Sequence, residues 1–316
     1  MAGETYHMIS GQSKLEELVD GRMSYGYPGS GYLGRDYYVN NITGSSSNHG
    51  TDWTDAMDEA STAITASEAY RAVLEAADTG NGYIRNRIFI QGTSTAYEAI
   101  TALPSYCDMI GIGADPRGNG AGIARIGADS GTGGGLTGTT TARGLNMRNI
   151  QFQAGQSNYA FQATALYRCV IENCAFGTNG VPTAAPAAAF SIGKASGLVV
   201  RNCHWINASS KDMDATDGFQ ITGTHFHNSL VENCYIAGTA TGVEVISTCT
   251  HGYGSMFKDC YIGWGGSTCA IGVDDNSTDG HIMFVGCYTF ATDDYEMTHN
   301  GTGRIIGCYA ANALAT

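Results

Sequence analysis

The sequence is poor in charge, and above all in positive charge. Only 14% of its 316 residues are charged, and 16 basic residues stand against 29 acidic ones, which gives a formal net charge of −13 at pH 7. Nucleic acids and anionic membranes attract basic surfaces, so we expect neither as a partner. Long apolar runs are also missing, since none approaches the ~20 residues of a membrane span. The N-terminal residues lack the apolar segment of a secretory signal, so we expect the protein to be made and folded in a cytoplasm.

A short phrase recurs seven times between Met147 and Ala310. In each copy an Asn, Asp or Gly is followed by a small apolar residue, and hydrophobic residues stand two positions before and three positions after the turn. The steps between turn residues are 24, 29, 31, 26, 27 and 21 residues, a loose period typical of a solenoid. Asn, Asp and Gly tolerate the left-handed backbone region, so each copy fits strand, bend and strand. The turn residues are Asn149, Asn173, Asn202, Asn233, Asp259, Gly286 and Gly307.

The composition of the repeats selects the type of solenoid. They are rich in Val, Ile, Phe, Gly and Asn rather than helix formers, which disfavours a helical repeat. Coils of this length, wound so that each strand pairs with its equivalent one turn on, form a parallel β-helix. Six of the ten cysteines directly follow a turn residue, where they would stack inside as small hydrophobes. We therefore favour a reduced interior column over disulfides or a zinc site for Cys174, Cys203, Cys234, Cys260, Cys287 and Cys308.

Residues 1–36 show no clear period and many Gly and Tyr residues. We interpret this segment as an extended arm that becomes ordered on a neighbouring molecule. The alternative is an N-terminus without fixed structure. The tyrosines predicted to make arm contacts are Tyr25, Tyr27, Tyr32, Tyr37 and Tyr38.

Residues 37–80 are predicted to cap the solenoid, which then occupies residues 81–316. A strand at Tyr37–Val39 leads into a loop rich in Gly, Ser and Asn. A helix is expected to start after Thr51 or Thr54. It would cover the open end of the first coil, where strand edges would otherwise be unpaired. The residues predicted on its buried face are Ala56, Ala60 and Ile64.

The order of the early segments resembles a known fold family. A Tyr-Val strand, the loop GSSSNHG, and the strands in IFIQGTSTAYEAI and MIGIGA are similar to pectate-lyase-fold β-helix domains of bacterial and phage surface proteins. The resemblance covers about residues 36–310 and implies an all-β, right-handed parallel β-helix. It implies little about chemistry, because this fold hosts lyases, hydrolases and inert structural parts alike. In relatives with a calcium site the loop carries aspartates, but here Ser and His stand in their place, so we expect neither a metal nor another cofactor.

Carboxylates are the candidates for catalysis. Cleavage of a polysaccharide on a β-helix needs paired carboxylates, or calcium with a basic residue, on one exposed strand face. The segment from Asp214 to Gly218 resembles the N-T-D-G of polygalacturonases, but the G-H-G and R-I-K segments of those enzymes are missing. Two Asp-Asp pairs about one coil apart are a second option as acid and base. Bends and solvated loops explain the same residues, so Asp214, Asp217, Glu244, Asp274 and Asp275 remain weak candidates.

Histidine and tryptophan give weaker signals. His225 and His227 alternate along one strand, as two metal ligands would, but the sequence offers no evident third ligand. Trp205 falls in an inward column and is predicted to be core. Trp264 is the tryptophan that we expect on the surface, where it would serve as a sugar-stacking platform.

Three functions fit these features. We expect a structural component of a phage virion (a capsid decoration, head fibre or tail spike) that forms a homotrimer through its arm and the faces of its β-helix, with other virion proteins as further partners. The first alternative is a lyase or glycoside hydrolase acting on polysaccharide. The second is a non-catalytic adhesin that binds surface polysaccharide. The first expectation depends on the missing signal segment, the Tyr/Gly arm and the incomplete catalytic motifs.

Overall fold

The structure is a computed structural model that describes residues 34–77, 84–118, 120–127, 133–136, 141–154, 158–178, 188–207, 216–263, 269–278, 281–297 and 304–310. Within these residues the chain forms one α-helix and 25 strands that pair in parallel. The strands wind into a right-handed parallel β-helix, as predicted. No helix in the described ranges is long and apolar enough to cross a membrane.

The helical segments and the strands follow one another in chain order. The helical segments are a 3-10 turn at Trp53–Asp55 and helix α1 at Ala60–Ala77. The first twelve strands are β1 Asp36–Val39, β2 Asn86–Gln91, β3 Cys107–Ile112, β4 Arg125–Gly127, β5 Thr141–Arg143, β6 Asn146–Arg148, β7 Gln151–Gln153, β8 Tyr159–Tyr167, β9 Val170–Glu172, β10 Ala175–Thr178, β11 Ala188–Ser196 and β12 Val199–Arg201. The remaining strands are β13 His204–Asn207, β14 Asp217–His227, β15 Leu230–Glu232, β16 Tyr235–Ile236, β17 Thr241–Val245, β18 Met256–Lys258, β19 Tyr261–Ile262, β20 Cys269–Asp275, β21 Met283–Val285, β22 Tyr288–Thr289, β23 Ala291–Met297, β24 Arg304–Ile306 and β25 Tyr309–Ala310.

Three sheets run along the solenoid. Sheet 1 has ten strands in the order β1-β2-β3-β6-β9-β12-β15-β18-β21-β24. Sheet 2 has eight strands, β4-β7-β10-β13-β16-β19-β22-β25, and sheet 3 has seven, β5-β8-β11-β14-β17-β20-β23. From β6 onward each coil contributes one strand to sheet 1, one to sheet 2 and one to sheet 3. Equivalent residues of successive coils therefore lie side by side, about 4.8 Å apart.

The core consists of columns of equivalent side chains. Phe161, Phe190 and Phe219 are register partners on sheet 3, and their ring centroids lie 4.7 and 4.8 Å apart. Trp205 is an interior residue, as predicted: it is 4% exposed, and its Nε1 donates to the carbonyl oxygen of Gly218 at 2.6 Å. Stacked aromatic rings bury large areas in a defined geometry. The interior columns thus fix the register of the coils as well as excluding water.

A left-handed residue turns the chain between sheet 1 and sheet 2 in every repeat. All seven predicted turn residues have positive φ, from 50° at Asn173 and Asn233 to 63° at Gly286. In the first six repeats the turn N–H donates to the next coil; the N–H of Asn173, for example, donates to the carbonyl oxygen of Arg201 at 3.1 Å. The predicted strand–bend–strand phrase is confirmed.

A second left-handed corner, between sheet 3 and sheet 1, was not predicted. Gly144, Gly197 and Gly254 alternate there with two larger residues, Arg168 at φ 53° and Asn228 at φ 49°. The N–H groups of the first four of these residues along the chain also donate to the next coil, as in Arg168 N to Ser196 O at 2.8 Å. Arginine rarely adopts this conformation. The sequence pattern at this corner therefore gave no consistent signal.

The cysteines after the turn residues form the predicted interior column. All are buried except Cys308, which is partly exposed. The Sγ of Cys174 lies 3.4 Å from the carbonyl oxygen of Glu172, and that of Cys203 lies 3.3 Å from that of Arg201. A thiol is a weak donor, so cysteine fills the interior and also satisfies a carbonyl group at the corner. Burial, and then the neighbouring thiol of Cys203, raise the pKa of Cys174, so its thiol stays protonated.

Helix α1 packs against β1 and β2 at the first coil. The Tyr37 hydroxyl donates to the carbonyl oxygen of Ala66 at 3.2 Å, and the Asn86 amide donates to the carbonyl oxygen of Ser67 at 3.0 Å. The helix thus covers the N-terminal end of the core. Its buried residues that join the core are Ala60, Ala63 and Ile64.

The helix begins at Ala60, later than the predicted start after Thr51 or Thr54. The side chain of Asp52 accepts a hydrogen bond from the N–H of Thr54 at 2.7 Å, but this cap starts only the 3-10 turn. Ala56 then returns to extended backbone, with φ −64° and ψ 143°. The cap is therefore Asp52 and neither of the two predicted threonines, and the turn that it starts ends after one winding. Ala56 is buried outside the helix.

The cysteine column predicts a simple pattern of thiol reactivity. All ten cysteines are free, and nine are buried. We expect a disulfide reagent such as DTNB to modify about one thiol, Cys308, in the native protein and all ten after unfolding in guanidinium. In the Cys308→Ser variant the native count should fall to about zero. Rapid modification of several thiols in the native protein, or fewer than ten after unfolding, would contradict the buried, reduced column.

Candidate functional site

The outer face of sheet 3 carries a column of polar side chains. Gln220 of β14 is the register partner of Glu244 of β17, and Glu244 is the partner of Asp274 of β20. All three are partly exposed. Because adjacent strands are about 4.8 Å apart, the β-helix brings together carboxylates that are distant in the sequence.

Gln220 joins two of the predicted acids. Its Nε2 donates to Glu244 Oε2 at 2.5 Å and to Asp217 Oδ2 at 3.2 Å. Its Oε1 accepts from the hydroxyl of Ser191 at 3.1 Å. The two distances to the shared nitrogen add up to 5.7 Å, which is the upper limit for the separation of these two carboxylate oxygens. Asp217 and Glu244 therefore form a close pair.

Asp217 is the acid whose ionisation is most affected. Only 9% of it is exposed. Burial, and then the charge of Glu244, raise the pKa of Asp217 to about 7. The protonated form of this carboxyl group is therefore populated near neutral pH. An acid of this kind beside a second carboxyl group is an arrangement that supports general acid–base cleavage.

The other acidic candidates lie elsewhere. Asp275 is 0% exposed, and its Oδ1 accepts from the N–H of Ser277 at 3.0 Å, so its carboxylate holds a turn inside the coil. Asp214 lies outside the described residues. The linking residue Gln220 was missed by the sequence analysis. Its signal was the alternation of β14, in which Phe219 and Ile221 point inward and Gln220 between them points outward.

A second polar site lies at the corner between sheets 1 and 2. Here an open cleft of about 470 Å³ runs along the predicted turn residues. Asn173 Nδ2 donates to Asn149 Oδ1 at 2.6 Å, and Asn233 Nδ2 donates to Asn202 Oδ1 at 2.7 Å. The turn residues therefore also provide a row of amides on the surface. The cleft is lined by Arg117, Arg148, Asn149, Glu172, Asn173, Asn202, His204, Asn233 and Tyr235.

His204 closes one wall of this cleft. Burial, and then the positive charge of Arg117, lower the pKa of His204 to about 4. Its imidazole is therefore neutral near pH 7. The ring packs against Tyr235 with centroids 4.4 Å apart and planes tilted by 32°. The sequence analysis did not single out His204, because a lone histidine in a strand carries no distinct signal.

His225 and His227, considered as metal ligands, belong to a different arrangement. The His225 ring stacks on His251 with centroids 4.4 Å apart and planes 3° from parallel, while His227 lies 5.6 Å from His225. Parallel stacked imidazoles direct their nitrogen lone pairs side by side rather than toward one point. The part of the chain that the structure describes contains no group of three His, Cys, Asp or Glu residues suited to hold a metal ion.

Two of the tyrosines assigned to the arm lie in described residues. Tyr37 is 5% exposed and packs in the core of its own chain. Tyr38 stacks on Phe89 and meets the edge of Trp53, with centroids 5.3 and 4.8 Å away. Three arm tyrosines, Tyr25, Tyr27 and Tyr32, lie outside the described residues, as does Trp264.

Neither a family model nor a curated protein matches the chain by sequence. Its structure is similar to the crystal structure of pectate lyase Pel9A, with a TM-score of 0.54, 13% identity, and coverage of 90% of this chain and 78% of that one. The chain has the pectate-lyase fold. At 13% identity this likeness establishes the fold and not the reaction. A likeness to Escherichia coli ybhc, with a TM-score of 0.43, 11% identity and coverage of 90% and 86%, is too low to add to it.

Asp217 should make the stability of this pectate-lyase-fold domain depend on pH. Its pKa is about 7 in the folded protein, against about 3.9 for an exposed aspartate. The protonated form therefore stabilises the fold, and this contribution is complete below about pH 4 and is lost as the pH rises through about 7. We expect the unfolding midpoint of the wild type to fall between pH 5 and 8 by a few degrees more than that of Asp217→Asn.

The matched control is Asp293→Asn, which removes an exposed carboxylate from the same sheet. It should follow the wild-type curve. Identical pH dependence of the wild type and Asp217→Asn would show that Asp217 is ionised over this range.

Proposed function

We propose that the protein is a structural component of a phage virion, a capsid decoration, head fibre or tail spike, that assembles as a homotrimer. The observation that supports this proposal best is an apolar stripe on the outer face of sheet 1. Five register-equivalent residues on adjacent strands are apolar and only partly buried. Contiguous exposed apolar surface marks an association site. The stripe consists of Val170, Val199, Leu230, Met256 and Met283.

A charged column beside the stripe supports association with a copy of the same chain. Its signs alternate from strand to strand. Glu172 pairs with Arg148 at 3.2 Å and with Arg201 at 2.9 Å. The column is therefore close to neutral, so two such faces can approach each other even though the chain carries a charge of −13. Its members are Arg148, Glu172, Arg201, Glu232 and Lys258.

Lysine in the stripe should break the assembly. We expect the double variant Val199→Lys/Leu230→Lys to be a folded monomer, because two buried ammonium groups per chain would face one another in the interface. Multi-angle light scattering of the wild type should give three times the chain mass. Ser247→Lys, an exposed position away from the stripe, is the control and should remain trimeric.

A wild-type protein that is monomeric at all concentrations would contradict the proposed trimer. A truncated variant that begins at Gly34 distinguishes assembly through the N-terminal arm from assembly through the face of sheet 1. If it remains trimeric, the face alone assembles the protein. If it becomes monomeric while the stripe variants stay trimeric, the arm carries the assembly.

The close acid pair supports a second candidate, a glycoside hydrolase. Asp217 would donate its proton to the leaving oxygen, and Glu244 would act as the second carboxyl group. The two linked oxygens are at most 5.7 Å apart, which is closer than the about 6.5–9.5 Å between the carboxyl groups of inverting enzymes and so favours a retaining mechanism. The neighbouring Asp274 adds negative charge, so a neutral polysaccharide fits this face better than a polyuronate.

This candidate predicts reducing ends released from neutral bacterial or algal polysaccharides. Asp217→Asn and Glu244→Gln should each lower the rate by at least about a hundredfold, because proton transfer contributes about 10²–10⁴. Asp293→Asn should leave the rate unchanged. No product from any polymer of the panel would exclude the hydrolase. Unsaturated uronates, seen by their ultraviolet absorbance, would instead identify a lyase.

A further inference from the structure

An exposed column of aromatic rings runs along sheet 2 and ends at the cleft between sheets 1 and 2. Successive strands of sheet 2 place His204 and four tyrosines at equivalent positions. The ring centroids along this column lie 4.4, 4.7, 5.9 and 4.4 Å apart. The column consists of His204, Tyr235, Tyr261, Tyr288 and Tyr309.

Stacking determines which ring can receive a ligand. Inside the column each tyrosine has a neighbouring ring on its face, so it presents its edge and hydroxyl to solvent. His204 and Tyr309 are the two ends of the column. The register partner of His204 on the side away from Tyr235 is Ala175, which has no ring. The imidazole lines the cleft together with Tyr235, and it is the terminal ring of the column there.

The other walls of the cleft offer donors and acceptors in pairs. Each primary amide has two N–H donors and one oxygen acceptor, and the bond between Asn173 and Asn149 uses one of each. The bond between Arg148 and Glu172 uses Nε of the guanidinium. The N–H and oxygen atoms that these bonds leave over belong to planar amide and guanidinium groups. Such a group can bond to two adjacent hydroxyl groups of a sugar at once.

The charges of the cleft favour an uncharged ligand. Arg117 is held by Asp115, with Nε 2.9 Å from both carboxylate oxygens, and Arg148 is held by Glu172. Each of these guanidinium groups thus has a carboxylate partner, although Glu172 is shared with Arg201, and His204 is not a cation near pH 7. The net charge of −13 on the whole chain opposes the approach of a polyanion.

We propose that this cleft binds a neutral hexopyranose residue of a glycan, with the sugar ring packed on His204 and its hydroxyl groups bonded to the amides and to the Arg148–Glu172 pair. The apolar face of a pyranose ring packs on an aromatic ring much as another ring does. The cleft lies on a different part of the coil from Asp217, so binding here requires no cleavage.

The test uses the full chain and defined probes. Tri- and tetrasaccharides of glucose, galactose or mannose are titrated against the wild type by calorimetry, with saturation-transfer NMR to map the contacting sugar protons. Tetragalacturonate and inorganic phosphate are the charged probes. We expect one of the neutral series to bind with a Kd in the millimolar range or below, and both charged probes to bind more weakly.

Variants of the ring column locate the site. His204→Ala should weaken binding about tenfold or more, and His204→Phe, which keeps a ring, should retain it. Tyr309→Ala is the matched control, since it removes a ring from the same column far from the cleft. Thermal unfolding checks that each variant is folded. If His204→Ala does not fold, Arg148→Ala tests the opposite wall.

Three results would overturn the proposal. The first is that no neutral probe binds at a concentration of about 10 mM. The second is binding that neither His204→Ala nor Arg148→Ala weakens, which would place the sugar elsewhere. The third is tighter binding of tetragalacturonate or phosphate than of any neutral sugar, which would show that the cleft selects an anion.

Discussion

The left-handed residue at each corner is the constraint on which the rest of the structure depends. It turns the chain sharply enough for sheets 1 and 2 to meet at an edge, and its N–H bonds to the next coil, as between Asn202 and Glu232 at 3.2 Å. Because the turn recurs in every repeat, the residues before and after it fall into register. The Cys column inside and the Asn row outside are two sides of this one arrangement.

Registered stacking has a further consequence for the surface. Any residue type that recurs at one coil position becomes a continuous column, whatever the length of the loops between the strands. The alternating charges, the apolar stripe, the tyrosine rings and the acid pair all arise in this way. A single strand offers Asp217 and Gln220, whereas the adjacent strand places Glu244 against Gln220. The candidate sites of this protein are therefore formed by residues on adjacent strands and not by motifs that are continuous in the sequence.

The sequence predicted the parts of the fold that repeat with a constant residue type. Seven turn residues and the cysteines after them share Asn, Asp, Gly and Cys, so their positions could be aligned. The corner at Arg168 and Asn228 could not be found in this way, because its residue types vary and tertiary hydrogen bonds hold them in place. Among the site residues, the resemblance to polygalacturonases suggested Asp217 and Glu244. Their link through Gln220 depends on the register between strands, which the variable loops conceal.

The distribution of charge separates the possible roles of the outer faces. The acids gather on sheet 3, where the pKa of Asp217 is raised by burial and by Glu244. A polyuronate would meet repulsion there, and no described basic residue of this column would offset it. Ion pairs lie instead at the sheet 1 edge and in the cleft, where Glu172 bridges Arg148 and Arg201. A protein copy or a sugar meets fewer unpaired charges there than on sheet 3. Because sheets 1 and 3 face in different directions around the coil, self-association through sheet 1 leaves the acid pair on sheet 3 open to solvent, whereas the cleft shares Arg148 and Glu172 with the assembly face.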